Sequence, residues 1–484
     1  MNTNQLTEDI KKALSEQVDL TKASFTQSTG LVQYNLEAPA KQLVPVITPL
    51  RNDIPRVKTV GGTQANWKAI TAFDTANQSL GVTEGHRGAN LTPQVTPYSA
   101  SFVGLGLESS FTWEAEYAGE GFDDVRARNS QNLLLQFMIK EEQAILGGQG
   151  TFGLGVTPTP VIALASGGTM TAQAVNVYCV ALTLDGFLRS SVAAGLPGQF
   201  TRTNAGGTTD TINGGNAQVS AASNTVTTTG GTLSVTATVA AVKGAAAYAW
   251  YVGNTAATAG LAAITTVNAV TISANAAGTQ KANDAKIAAD YSADNTVFDG
   301  LLAQCAKSGS NAYFSSLDNG TFTADGGGGI VEIDTMLQDR WDNYRLSPDV
   351  LYVNSQEAKN IAKKVISNGG APLYRINGSD GAVQITAGSV VGGYLNKFAL
   401  GTGQVIPIKI HPFLPAGTVL GFTHQLPYPL TNVNNLVQMK LRRDYFQQEW
   451  PQTNRQVEYG IYEDGVLQHY FPASMAVIAN IKNG

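Results

Sequence analysis

Cysteine is nearly missing from this chain of 484 residues: it has two, Cys179 and Cys305. That count excludes a disulfide framework and a four-cysteine zinc site, and two buried free thiols in a reducing compartment are expected. Histidine is as scarce. His86, His411, His424 and His469 show neither HExxH nor HxxxH spacing, so no metal site is expected. Charged residues make up only 14 %, well under the usual share, which argues against a domain dense in titratable catalytic groups. Lys and Arg number 31 against 36 Asp and Glu, so the basic excess of a nucleic-acid coat is absent. No apolar run reaches about 18 residues, and no membrane contact is expected. Residues 1–19 (MNTNQLTEDIKKALSEQVD) have no basic start, apolar core or cleavage site, so export is not expected. The length allows about two to four structural units.

What is present is uneven. From 143 to 331 there is no Glu, and between 161 and 280 the only charges are Asp185, Arg189, Arg202, Asp210 and Lys243. This Thr/Ala/Gly/Val/Ser-rich stretch reads as a domain inserted into a chain of ordinary composition. Its runs 175–182 (VNVYCVAL), 232–239 (TLSVTATV), 245–252 (AAAYAWYV) and 262–272 (AAITTVNAVTI) read as strands. Paired glycines at 206–207, 214–215 and 230–231 separate them. Several short strands around a central Trp250 predict a two-sheet sandwich with that Trp in its core.

The flanks mix helix and strand. Residues 119–147 carry the longest helical signal, with Asp123 as N-cap, Asp124 beside it and Gly147 as the C-terminal stop. The C-terminal half of that helix is apolar on most sides and should lie beneath a sheet. A second helix is predicted from Ile330 to Tyr344, stopped by Pro348. A buried strand follows at 350–353 (VLYV), then a helix capped by Asn354 with Glu357 as capping-box partner. Residues 59–70 and 97–108 read as two arms of a long hairpin with a polar, Gly/Asn-rich tip. Such a hairpin buries little of its own surface and is expected to lie on another copy of the chain. Strands are expected at 404–411, 418–422, 437–446 and 457–468.

No catalytic constellation assembles, so no catalytic, cofactor-binding or metal residue is assigned and no cofactor is expected. There is no Gly-x-Ser-x-Gly elbow and no Walker lysine. Gly148, Gly150 and Gly153 spell GxGxxG, but after a helix and outside any βαβ unit, so they read as a flexible link. Arg442 and Arg443, the densest basic spot of the C-terminal third, read as a solvated or subunit-interface pair. Glu141 and Glu142 read as the solvent face of the long helix or as intersubunit salt-bridge donors, not as a catalytic dyad.

Two resemblances follow. The strings VYCVALTLDG (177–186) and AYAWYVGN (247–254) resemble immunoglobulin-like and fibronectin-type-III-like modules, without a cysteine pair. The order of segments resembles the tailed double-stranded DNA bacteriophage major capsid proteins of the HK-ninety-seven-like fold. It rests on 349–365 (DVLYVNSQEAKNIAKKV), 414–422 (LPAGTVLGF) and 442–481. That resemblance implies an α+β fold with N-arm, E-loop hairpin, spine helix, peripheral and axial domains, plus an inserted all-β immunoglobulin-like sandwich. The parts would be 1–57 (N-terminal arm and start of the peripheral domain), 58–116 (E-loop hairpin), 117–155 (spine helix and link), 156–282 (insert), 283–403 (axial α+β domain) and 404–484 (C-terminal strands). It further implies a non-enzymatic shell protein that assembles with itself as hexamers and pentamers into an icosahedral head. It would enclose double-stranded DNA without specific binding. Portal, scaffold or maturation protease, and decoration proteins would be further partners. The chain would reside in the virion, and in the bacterial host cytoplasm during assembly. Some family members join subunits through a Lys–Asn bond promoted by a Glu. Lys58 and Lys68 lie in the hairpin and Glu108 and Glu114 near its end, but no motif marks an acceptor Asn and no such activity is assigned. The competing readings are a phage tail or baseplate structural protein and a bacterial surface adhesin with an immunoglobulin-like module.

Overall fold

A computed structural model describes residues 41–484 except 60, 74–79, 89, 121–122, 368–375, 378–383, 386–391, 399–402, 430 and 453. Most of the expected N-terminal arm, residues 1–40, lies outside the described residues.

One body is a four-stranded sheet. Its order is Arg56–Lys58, Val437–Glu449, Gln456–His469 and Val103–Thr112, and only the first pairing is parallel. The helix Val125–Gly147 lies across it, about 35 Å long at the usual rise per residue. Leu133 and Phe137 pack on Phe111, Val457, Tyr459 and Ile461, which is why that helix half is apolar on several sides. Asp124 is the N-cap, accepting from Ala127 N at 2.9 Å. Asp123, expected there, instead pairs with Arg128 at 3.0 Å. Gly147 is the last helical residue and Gly148 the cap.

A second, six-stranded sheet runs Tyr313–Ser316, Ala476–Ala479, Val419–Phe422, Val350–Val353, Gln404–Ile410 and Gly393–Asn396. Val350–Val353 is central and buried on both faces. Leu351 and Val353 meet the helices Val331–Tyr344 and Ser355–Ser367 through Ile333, Met336, Leu337 and Ile361. Val350 and Tyr352 face the other way, toward Ile145, Leu146, Leu301 and Cys305. The helix Val331–Tyr344 stops before Pro348, because Arg345 turns into the left-handed region at φ 53°. Asn354 does cap the next helix, accepting from Gln356 N at 3.0 Å. Glu357 is not its capping-box partner. It turns inward, fully buried, and burial pushes its carboxyl up to about 7 against the amide of Gly417.

The low-charge stretch holds two facing sheets. One orders Ala269–Ile272, Leu233–Thr238 and Val161–Ser166; the other orders Gly260–Thr265, Ala247–Gly253, Gln173–Leu182 and Val226–Thr228. The single strand expected at 262–272 is thus two, split between sheets. Val175, Val177, Cys179, Trp250, Val252, Val235 and Ala237 fill the space between them, with Trp250 fully buried. The far face of the larger sheet is covered as well: Val180, Tyr251 and Leu261 pack on Leu196, Ala282 and Ile287. Ala247–Gly253 is therefore buried at every residue rather than at alternate ones.

Two expectations fail here. The link at 148–153 is packed, not flexible: a Cβ on Gly150 would stand 2.3 Å from the Val297 carbonyl oxygen, and Gly150 N and Thr151 N both donate to Asp299 at 2.8 Å. The hairpin is also shorter than its predicted arms. Gln64–Ala72 pairs with Gln94–Ser101, while Val103–Thr112 leaves at Phe102 to pair with Gln456–Gly465 in the four-stranded sheet.

Candidate assembly surface and the acidic junction behind it

The hairpin of Gln64–Ala72 and Gln94–Ser101 is a two-stranded ribbon joined to the body at one end. Trp67 stacks on Tyr98 at 5.9 Å and meets Tyr470 edge-on at 5.8 Å. Beyond that anchor the ribbon has no second layer among the described residues. Of Gln64–Ala72 only Ala65 is buried. Ile70 is 59 % exposed, Phe73 70 % and Leu80 fully, with Val82, Leu91 and Val95 also open. Upstream, Leu43, Val44 and Ile47 are exposed too. Scattered exposed apolar residues are ordinary, but a two-stranded ribbon carrying a row of them is marginal alone. Burying each would contribute about 2 kcal/mol, so a covering surface would stabilise this ribbon more than anything within it.

Behind the ribbon, the foot of the arm is fastened to the long helix by acids. Glu142 accepts from Leu50 N at 2.9 Å, Arg51 N at 2.7 Å and His411 Nε2 at 2.6 Å. It thereby caps the short helix Pro49–Asp53, whose own N-cap Thr48 makes no side-chain cap bond. Glu141 takes Arg51 Nε at 3.2 Å, Arg56 and the Tyr445 hydroxyl. The expected solvent-facing pair is thus buried on both residues, because Arg51 and Arg56 reach it from the arm. Burial and then Glu141 push the Tyr445 hydroxyl up. Burial opposes ionisation of Asp444, but the hydrogen bonds from Arg56 and Tyr445 N and the charges of Arg56 and Arg51 together outweigh it and hold this carboxyl below its ordinary value. Asp53 is held low in the same way, by Lys409 at 2.5 Å and the Tyr352 hydroxyl against the effect of burial.

The other residues named from sequence are dispersed. Cys179 and Cys305 are free and buried, and burial raises the Cys305 thiol to about 12. His469 is buried, which lowers it to about 3. Arg442 pairs with Asp464 at 2.8 Å and lies over Phe102, while Arg443 stacks on Phe446 in the open. Lys58 and Lys68 are exposed; Glu108 accepts from Tyr462, and Glu114 pairs with Arg455 at 2.9 Å. Among the described residues no three His, Cys, Asp or Glu gather to hold a metal ion. No helix among them is long and apolar enough to cross a membrane. The burial of Glu141 and Glu142 had one signal in the sequence: they sit in the helix half that is apolar on most sides.

No protein-family model matches the sequence, and no curated protein matches it. Three solved structures are similar in chain trace. The capsid of a native GTA particle is 10 % identical, with a TM-score of 0.44 over 96 % of this chain and 100 % of that one. The capsid of cyanophage A-1(L) is 10 % identical, with a TM-score of 0.44 over 94 % and 99 %. The holo-SrpI encapsulin of Synechococcus elongatus is 7 % identical, with a TM-score of 0.42 over 95 % and 96 %. At TM-scores below 0.5 these likenesses carry no functional conclusion, which rests on the chain's own surfaces.

Proposed function

We propose that this chain is the major capsid protein of a tailed phage, with an HK-ninety-seven-like fold, and that copies of it close into an icosahedral head around double-stranded DNA. The observation that carries the reading is the ribbon of Gln64–Ala72 and Gln94–Ser101, which holds apolar side chains in solvent with no layer among the described residues to cover them. A shell subunit needs repeated complementary surfaces rather than an active site, and low charge density suits close contact between copies. The net charge of −5 keeps the shell from gripping packaged DNA. In this reading 58–116 is the E-loop, 117–155 the spine helix and 156–282 an immunoglobulin-like decoration projecting from the shell. Hexamers and pentamers of the chain, a portal, a scaffold or maturation protease and decoration proteins are the partners that follow. Negative-stain electron microscopy of the purified chain tests the proposal: closed shells or rings support it, and monomers at high concentration contradict it.

A further inference from the structure

Three carboxylates converge on Arg56 at the start of the strand Arg56–Lys58. Its guanidinium donates to Glu141 of the long helix and to Asp444 at 2.7 Å, and stands 3.0 Å from Glu463. The side chains of Glu141 and Glu463 have no exposed surface. Glu141 is well supplied, since Arg51 and the Tyr445 hydroxyl also donate to it. Glu463 is not. As a carboxylate, neither of its oxygens receives a hydrogen bond from any described residue, the approach of Arg56 being out of line for one. As a carboxylic acid it has a partner, for its carboxyl lies within hydrogen-bonding reach of Glu141. A buried carboxylate without donors takes up a proton instead.

Charge balance agrees. Arg51 and Arg56 bring two positive charges; Asp444 and one ionised carboxyl of the pair bring two negative ones. With both glutamates ionised, three carboxylates would face two guanidinium groups, two of the three carboxylates without exposed surface. The neighbouring groups do not supply the balance. Glu142 is taken by Leu50 N, Arg51 N and His411; Asp464 is paired with Arg442; Leu105, opposite Glu463 on the edge strand, carries no charge.

We propose that Glu463 and Glu141 share one proton beneath Arg56, and that this proton latches residues 49–58 onto the long helix and the four-stranded sheet. The latch is a pH-sensitive device at the foot of the arm, and it stands whether or not the chain forms shells. Closed, burial and Glu141 hold the Glu463 proton up to about 8; opened to water, the carboxyl returns to its ordinary value of 4.5. The closed state therefore binds the extra proton between those limits. Its advantage is complete below about 4.5, is lost as pH rises toward about 8, and does not change further above that.

Hydrogen–deuterium exchange of the full chain tests the latch, from about pH 6 to about pH 9, corrected for the intrinsic exchange rate. Protection of 49–58 should fall by about tenfold per pH unit up to about pH 8 and then level, while 247–253 and 350–353 hold steady. Glu463→Gln, whose amide still donates to Glu141 but does not titrate, should keep that protection high and flat. Glu141→Gln, which removes the charge that holds the proton, should move the fall to lower pH. A flat wild-type profile overturns the latch, as does a slope that survives in Glu463→Gln, which would assign the titration to another group. If Glu463→Gln does not fold, the wild-type profile and Glu141→Gln decide the matter, and an unmoved midpoint in Glu141→Gln contradicts it.

Discussion

The ribbon at 64–101 and the sandwich strands at 161–272 are both short β-runs, yet they end in opposite states. Ala247–Gly253 is buried at every residue, because one sheet covers it on one face and Leu196, Ala282 and Ile287 cover the other. Gln64–Ala72 buries one residue in nine, because among the described residues nothing lies over it. Among the described residues the sandwich is complete within one molecule and the ribbon is not. The hydrophobic effect is indifferent to which chain supplies the cover, so the ribbon's missing layer is what a second copy would provide.

Breaking the ribbon should have the largest effect. Replacing Ile70 and Phe73 with Asp should abolish assembly in light scattering or microscopy. The thermal midpoint of the monomer should barely move, since exposed sites usually change stability by about 0.5 kcal/mol or less. A matching loss of monomer stability would mean that the ribbon is covered from within.

The sandwich should respond the other way. Trp250→Ala empties the centre of its core and should cost about 3–5 kcal/mol of that unit's stability in denaturant unfolding. Assembly should persist if the sandwich is an appended body. The chain enters and leaves it at neighbouring points, where Leu154 N donates to Ser292 Oγ at 2.7 Å, which fits a unit tethered at one place.

The smallest effect sharpens the comparison at the helix Ser355–Ser367, which covers the six-stranded sheet. Glu357 is held protonated up to about 7 by burial, against 4.5 in its ordinary state. The native state thus binds the extra proton, and stability present below about 4.5 is lost as pH rises through about 7. Glu357→Gln should remove that slope, gaining on the order of 3 kcal/mol above neutral pH by calorimetry. An unchanged slope would place the titration elsewhere.

Much of the fold was legible where one local rule decides. VNVYCVAL, AYAWYV and VLYV are strands because their apolar runs are short and bounded by turns, and 125–147 is a helix because Asp124 caps a long run without breakers. The errors fall where distant residues decide. Glu141 looked solvent-facing because charges on helices usually are; the arginines that bury it lie 90 and 85 residues upstream. The second hairpin arm looked longer because 97–108 is uniformly extended, and only its pairing with Gln456–Gly465 separates 103–108 from the ribbon. The glycines at 148–153 looked loose because a glycine has no side chain to announce that Val297 sits against it.

The most direct test of the central claim is hydrogen exchange at 64–72 and 94–101, measured first on the dispersed chain and then on its assembled form. If copies of this chain supply the ribbon's cover, those amides exchange quickly in the first and become strongly protected in the second, while 247–253 is protected in both. Equal protection of the ribbon in the two states would contradict the account.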